Sequence, residues 1–435
     1  MLVEFSVENF RSIRDRVTFS MLAAPDQMLS GNTFSVPAWG REKFVKSAFL
    51  YGPNASGKTN VLRALRYLRM LVLSSEQRNK GTKIEHEPFL LDESFAKRPS
   101  EFEVRFVIEN VPYTYGLTVD EERVQAEYLY YAPKGRKAVI FEREQDNYTF
   151  TVDKERQTAI SQNTISNRLY LSSATNANYD KTEPAFTWFK DHLRTRIDMN
   201  VDNWQKYTTK CISEGGERSE KIQQFMRKAD VGIRGVSAKI VLITEDMLRP
   251  NTPSEVRKKL LGQEFPEVTM YHQGTNENIS FDLDDESDGT QVVYAMAGPL
   301  FDILDNGYTL LIDEIEASLH PHIVQEIIKL FHDPACNPLN AQLICTTHAT
   351  SFLNRELLRR DQIWFTQKDA ESGATELFSL TDVKGVRKDE NYEKSYWAGK
   401  YDAIPYFGNG LIDCSKSCPA NSKSCPIASD REEKS

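Results

Sequence analysis

Gly52-Pro53-Asn54-Ala55-Ser56-Gly57-Lys58-Thr59 is a full G-x-x-x-x-G-K-[ST] phosphate loop, and the rest of the chain is read outward from it. Before it runs Ser47-Ala48-Phe49-Leu50-Tyr51, apolar and strand-like; after it Asn60-Val61-Leu62-Arg63-Ala64-Leu65 opens a helix. Strand, glycine-rich turn and helix in that order are the setting the motif needs. Without a Cβ the glycines let the backbone curl, so that successive N–H groups and a helix N-terminus converge on one anion. All eight residues from Gly52 to Thr59 are therefore phosphate-binding candidates. Lys58 is expected to reach the β- and γ-phosphates and Thr59 to place its hydroxyl on Mg²⁺, which makes ATP and Mg²⁺ the expected ligands.

A second half of the site lies far downstream. The apolar strand Tyr308-Thr309-Leu310-Leu311-Ile312 ends in Asp313-Glu314. An acid at the end of a buried neighbouring strand can hold Mg²⁺ through its water shell, and a second acid beside it can activate water. Asp313 fits the first role and Glu314 the second.

Between these halves the hydrophobic period changes. Residues 2–10 and 17–21 read as strands, 22–43 as loop, 44–51 as one strand, and Val61, Leu62, Leu65, Leu68 and Leu71 mark the inner face of the loop's helix. From 100 to 152 the period is two, with turn residues at Asn110, Asp120, Pro133-Lys134-Gly135 and Asp146-Asn147, so an antiparallel meander is expected. Residues 155–265 read as mainly helical, with candidate helices at 184–197 and 219–229. Strands at 268–272 and 279–283 lead to helix 290–304, strand 308–312, helix 319–332, strand 342–346, a helix near 350–359 and strand 362–366. That alternation implies a parallel sheet. The fold class is α/β.

Length allows two or three domains, and the composition, 40% hydrophobic and 27% charged, is that of a soluble globular chain. The formal charge of −9 argues against a general nucleic-acid coat while leaving room for a local basic groove. Glu4 and Glu8 interrupt the N-terminus, and Asp302 and Asp305 break the most apolar stretch, 292–312, so no signal peptide or membrane span is expected and the cytoplasm is the expected compartment. Cys211, Cys336 and Cys345 read as small buried residues. Cys414, Cys418 and Cys425 are too loosely spaced for a usual zinc site and read as part of a flexible tail.

Taken together, Asn9-Phe10-Arg11-Ser12, the phosphate loop, Glu286-Ser287-Asp288-Gly289-Thr290-Gln291, Leu311-Ile312-Asp313-Glu314-Ile315-Glu316-Ala317-Ser318-Leu319-His320-Pro321 and Thr346-Thr347-His348 follow the order seen in ABC-type ATPases. The sequence resembles the branch holding RecF, SMC and OLD proteins. Within that branch it resembles bacterial AAA-family ATPases of the RloA and abortive-infection kind, whose late segment is similar to Tyr396-Trp397-Ala398-Gly399-Lys400-Tyr401-Asp402-Ala403-Ile404-Pro405. The resemblance implies an ABC-type P-loop NTPase head with an antiparallel β meander and a mainly helical insertion. The corresponding division is 1–95 for the N-terminal ATPase part with Walker A, 96–154 for the β subdomain, 155–266 for the insertion, 267–407 for the C-terminal ATPase part and 408–435 for the tail.

The same resemblance implies roles for single residues. Ser287 and Gly289 match a signature that closes over the γ-phosphate held by a second protomer, whereas the residues alone read as a helix N-cap. His348 matches a switch histidine, and Arg11 an arginine that meets phosphate, with a surface ion pair as the alternative. Glu316 and His320 fall where a D-loop would communicate across a dimer, or they cap the next helix. No Q-loop glutamine stands out, and the roughly 85 residues after His348 show no convincing acidic constellation for the Toprim nuclease that OLD proteins carry. The implied function is that of an ATPase acting as sensor or regulatory subunit in bacterial anti-phage defence. It would form a homodimer or higher homo-oligomer through its ATP sites and control a separately encoded effector such as a nuclease. DNA is a possible further ligand. A RecF-like DNA-binding repair clamp and an ATP-binding scaffold with little turnover are the alternatives.

Overall fold

The computed structural model describes residues 1–196, 201–230, 232–275, 277–387 and 389–403, with the side chains of residues 201 and 202 excepted. The expected tail at 408–435, its three cysteines and Ile404-Pro405 lie outside the described residues.

The central sheet has six strands in the order Leu193–Arg196, Thr309–Ile312, Gln342–Thr346, Ser47–Tyr51, Ile363–Lys368 and Thr375–Ser379, parallel except for the last. Its inner strands Ser47–Tyr51, Thr309–Ile312 and Gln342–Thr346 are buried throughout because both faces are covered. Ala48, Leu50, Leu311, Ile344 and Trp364 point into a core shared with Val61, Leu62, Leu65 and Leu68 of helix Lys58–Ser74. Phe49, Tyr51, Leu310, Ile312, Leu343, Cys345 and Phe365 point the other way, into a core shared with helices Asp288–Asn306 and Pro321–His332. Alternation at period two thus builds a three-layer α/β unit. Truncating a leucine such as Leu311, wholly buried, would cost about 2–5 kcal/mol.

The second sheet is the expected antiparallel meander, in the order Asn147–Phe150, Ala138–Glu144, Val124–Tyr131, Val111–Val119, Ser100–Ile108, with the N-terminal strand Leu2–Glu8 and Val17–Ser20 completing it. Phe102, Val104 and Phe106 face the first core. Gln342, buried in the central sheet, ties the two sheets together: it donates to Leu2 O at 3.0 Å and accepts from Leu2 N at 2.6 Å.

Four expectations are corrected. Strand 44–51 is two strands, because the Lys46 amide turns to Asn32 O at 2.8 Å; Lys43–Val45 pairs with Thr33–Ser35, and only Ser47–Tyr51 enters the central sheet. Candidate helix 184–197 stops after Glu183–Thr187 and a π-turn at Trp188–His192, and Leu193–Arg196 becomes a parallel edge strand beside Thr309–Ile312. Inside the mainly helical stretch, Ile233–Leu242 is a strand that pairs with Glu264–Gln273 and, through it, with Asn278–Asp282. The helix near 350–359 is replaced by two 3₁₀ turns, Thr350–Phe352 and Arg360–Gln362. Between them the Asn354 side chain accepts from Glu356 N at 2.9 Å, a local bond that competes with helix formation.

Helix Asp288–Asn306 carries Pro299, which cannot donate to Ala295 O. The Thr208 hydroxyl supplies that bond at 3.1 Å from helix Val201–Glu214, and it accepts from Gly298 N at 3.0 Å. A Cβ at position 298 would lie 2.7 Å from that same oxygen, so glycine permits the close approach. Among the described residues no helix is long and apolar enough to cross a membrane.

Candidate functional site

The C-terminal ends of three adjacent parallel strands set the site. Register places Ile312 beside Cys345 and Cys345 beside Phe49, so Asp313, the last strand residue Thr346 and the phosphate loop after Tyr51 gather at one edge of the sheet. Open α/β sheets bind ligands at this edge.

The loop has the backbone its glycines require. Gly52 and Gly57 lie at φ 149° and 107°, and Ala55 at φ 61°. A Cβ on Gly52 would run into Thr366 O, and one on Gly57 into the Thr375 hydroxyl. Packing therefore leaves room only for glycine, on top of the conformational demand. Pro53 O accepts from Ser56 N at 3.2 Å. Ser56 Oγ and Thr366 Oγ1 are 2.6 Å apart, and Thr375 Oγ1 donates to Ser56 O at 2.9 Å, fixing the turn from the next two strands. Asn54 is exposed at the tip.

Lys58 is buried, and its ammonium donates to Gly52 O at 2.8 Å and Pro53 O at 3.0 Å. Desolvation lowers its pKa to about 8, while Glu314, Asp313 and Glu316 oppose that fall. The Thr59 hydroxyl donates to Asp313 Oδ1 at 3.0 Å. These two hard oxygens, side by side beneath a helix N-terminus, suit Mg²⁺ held together with nucleotide phosphates.

Thr346 organises the acids. Its hydroxyl donates to Asp313 Oδ1 at 2.6 Å and accepts from Glu314 N at 2.7 Å. Glu314 stands at φ 49°, an uncommon conformation for a side-chain-bearing residue that aims its carboxylate out of the sheet edge. The His348 imidazole Nε2 lies 4.0 Å from Glu314 Oε1, and both side chains are partly open to solvent. Glu316 does not cap the next helix: its Oε1 accepts from the backbone N of His348 at 2.5 Å. His320 is the cap, accepting from His322 N at 3.3 Å ahead of Pro321.

Three expected residues stand apart from this group. Arg11 sits at φ 50° in the turn Phe10–Ile13 and forms an ion pair with Glu87, the alternative read from the sequence. Its neighbour Ser12 is the residue that reaches the loop's helix: Asn60 donates to Ser12 Oγ at 2.7 Å, and Ser12 Oγ meets Thr375 Oγ1 at 2.7 Å. Ser287 caps Asp288–Asn306 by accepting from Thr290 N at 3.2 Å. Gly289 packs against the turn after the acids, where a Cβ would lie 3.0 Å from Ser318 O. Ser287 and Gly289 thus approach the acid-bearing turn's far end, and their described hydrogen bonds do not go to residues 52–59.

The structure brings together the loop, both acids and His348, as the sequence reading placed them, and adds Ser12, Asn60, Thr346, Thr366 and Thr375, which that reading did not single out. Hydroxyls at the ends of strands were the available signal; their partners lie too far along the chain to be inferred.

Residues 47–354 match the family described as "AAA domain, putative AbiEii toxin, Type IV TA system". Among solved structures, the chain is similar to the Smc head domain of Pyrococcus furiosus, with an extended coiled coil and bound to the C-terminal domain of ScpA. Identity is 13% and the TM-score 0.39, over 92% of this chain and 99% of that one. No curated protein matches. With the match spanning the phosphate loop, the paired acids and His348, the chain belongs to this AAA-domain family.

Proposed function

We propose that the chain hydrolyses Mg-ATP at this cleft, that Ser287 and Gly289 of a second copy complete it, and that its nucleotide state governs a separately encoded effector. The observation that carries the reading is the convergence of Lys58, Thr59, Asp313, Glu314 and His348 at one sheet edge, while among the described residues the Ser287 hydroxyl bonds within its own helix start.

Phosphoryl transfer asks mainly for positioning and charge stabilisation. The loop amides and Lys58 would hold the β- and γ-phosphates. Bound Mg²⁺ supplies charge neutralisation on the phosphate oxygens, and Thr59 and Asp313 would hold it. Glu314 orients the attacking water and takes its proton, with His348 completing that side. A helix N-terminus such as that opened by Ser287 suits the γ-phosphate presented by another copy.

A place in anti-phage defence, with a nuclease as the expected effector, is supported by the family description, which names an AbiEii toxin and a type IV toxin–antitoxin system. That support is one of analogy.

The test is ATP turnover by the wild-type chain alongside the mass of Glu314→Gln with and without Mg-ATP. We expect Glu314→Gln to bind nucleotide, to lose about 10²- to 10⁴-fold in turnover and to gain mass with ATP. Equal turnover in the two chains would remove Glu314 from the mechanism.

A further inference from the structure

Glu314 and Glu316 flank Ile315, which is wholly buried and whose amide donates to Thr346 O at 3.2 Å. That anchor fixes both acids relative to the end of strand Gln342–Thr346. From there both face His348: Glu316 Oε1 accepts from its backbone N at 2.5 Å, and Glu314 Oε1 lies 4.0 Å from the imidazole Nε2. The second oxygen of Glu316 is buried and, among the described residues, has no hydrogen-bond partner. The nearby Tyr51 hydroxyl, in the residue just before the phosphate loop, is buried and unpartnered as well. Leaving buried polar atoms unsatisfied costs about 1–3 kcal/mol each, so packing alone gives no reason for a carboxylate at position 316. The bond to the His348 amide does.

We propose that Glu316 is a positioning residue for His348: by accepting from its backbone it sets the separation between the imidazole and Glu314. The proposal rests on the hydrolysis reading above. Length and an acceptor oxygen are what the positioning role demands; the charge, which also acts on Lys58, is a separate contribution. Glutamine keeps both, aspartate keeps the charge but is one methylene short, and leucine keeps only bulk.

The test measures kcat and KM for Mg-ATP in wild type and in Glu316→Gln, Glu316→Asp and Glu316→Leu, with the imidazole NMR signals of His348 as a readout independent of turnover. Misplacing a reacting group by about 1 Å can cost roughly 100-fold. We expect Glu316→Asp and Glu316→Leu to lose roughly 10- to 100-fold in kcat with little change in KM, and their His348 signals to move. Glu316→Gln should keep kcat within about threefold and leave those signals in place. The Gln and Asp chains decide the matter should the leucine chain not fold. Loss in Gln with retention in Asp would make charge the operative property and overturn the proposal; so would wild-type rates in all three. A wild-type chain that binds Mg-ATP without turning it over would instead defeat the hydrolysis reading, and this role with it.

Discussion

Glu127 and Arg143, both with fully buried side chains, meet at 3.6 Å in the antiparallel sheet, whereas at the edge of the parallel one Lys58 is buried and Glu316 is half-buried, with one carboxylate oxygen shut off from solvent. In the first pair both charged groups are well supplied with hydrogen-bond partners. Glu127 accepts from Tyr170 N, Leu171 N and the Tyr115 hydroxyl, capping helix Tyr170–Asn176, and Arg143 donates to Gln145 O, Arg168 O and Ser166 O. At the parallel edge, Lys58 is held by two carbonyls of its own loop, and Glu316 keeps one oxygen unpartnered among the described residues. A buried charge whose partners are complete locks a fold; one whose partners are incomplete leaves the protein able to gain from a ligand or a moving loop.

The largest effect that would sharpen this contrast is on stability. Arg143→Met should cost about 3–5 kcal/mol, measured by urea denaturation, because Glu127 is left charged and buried. Replacing both residues by apolar ones of similar size should recover much of that loss. A cost under about 1 kcal/mol for Arg143→Met would mean the pair is not the lock described here.

The next effect is on binding and follows pH. With its pKa lowered to about 8, Lys58 loses its charge in the free chain as pH rises past that value. Phosphate prefers the ammonium, so Mg-ATP affinity should fall by up to about tenfold per pH unit above 8, and Lys58→Met should abolish that slope. Stability runs the other way. Between about 8 and 10.5 the unfolded chain holds a proton that the folded one has released, so the destabilisation from burying the charge, full below 8, fades as pH rises. Titration calorimetry across pH 7 to 9.5 would check the binding arm, and a flat profile would contradict it.

The smallest effect separates the two readings of Ser287. As a helix cap, Ser287→Ala should cost about 1 kcal/mol of stability. As part of a composite site, the same change should lower turnover more than that loss explains. Turnover that merely tracks stability would leave Ser287 as a cap.

How far these features could be read from sequence depends on how local their causes are. The phosphate loop, the apolar strand ending in Asp313-Glu314 and the alternation of the meander are set within a few residues, by glycine conformation and by a hydrophobic period. They were legible. Leu193–Arg196 was not, because only Leu193 is buried and the strand exists through pairing with Thr309–Ile312, more than a hundred residues away. Glu316 was placed in a motif whose position suggested helix capping or a dimer contact. Its bond to the His348 amide joins two loops that only the parallel register brings together. The hydroxyls of Ser12, Thr346, Thr366 and Thr375 belong to the same class: ordinary in sequence, and specific only once folded.

The most direct test of a cleft completed by a second copy is complementation. A Lys58→Ala chain and a Ser287→Arg chain, each inactive alone, are mixed and assayed for ATP turnover. One of the two sites in a mixed pair then combines an intact Lys58 with an intact Ser287, and random pairing should return about one quarter of the wild-type rate. A mixture no more active than its separate components, although both chains remain folded and pair with each other, would contradict the account.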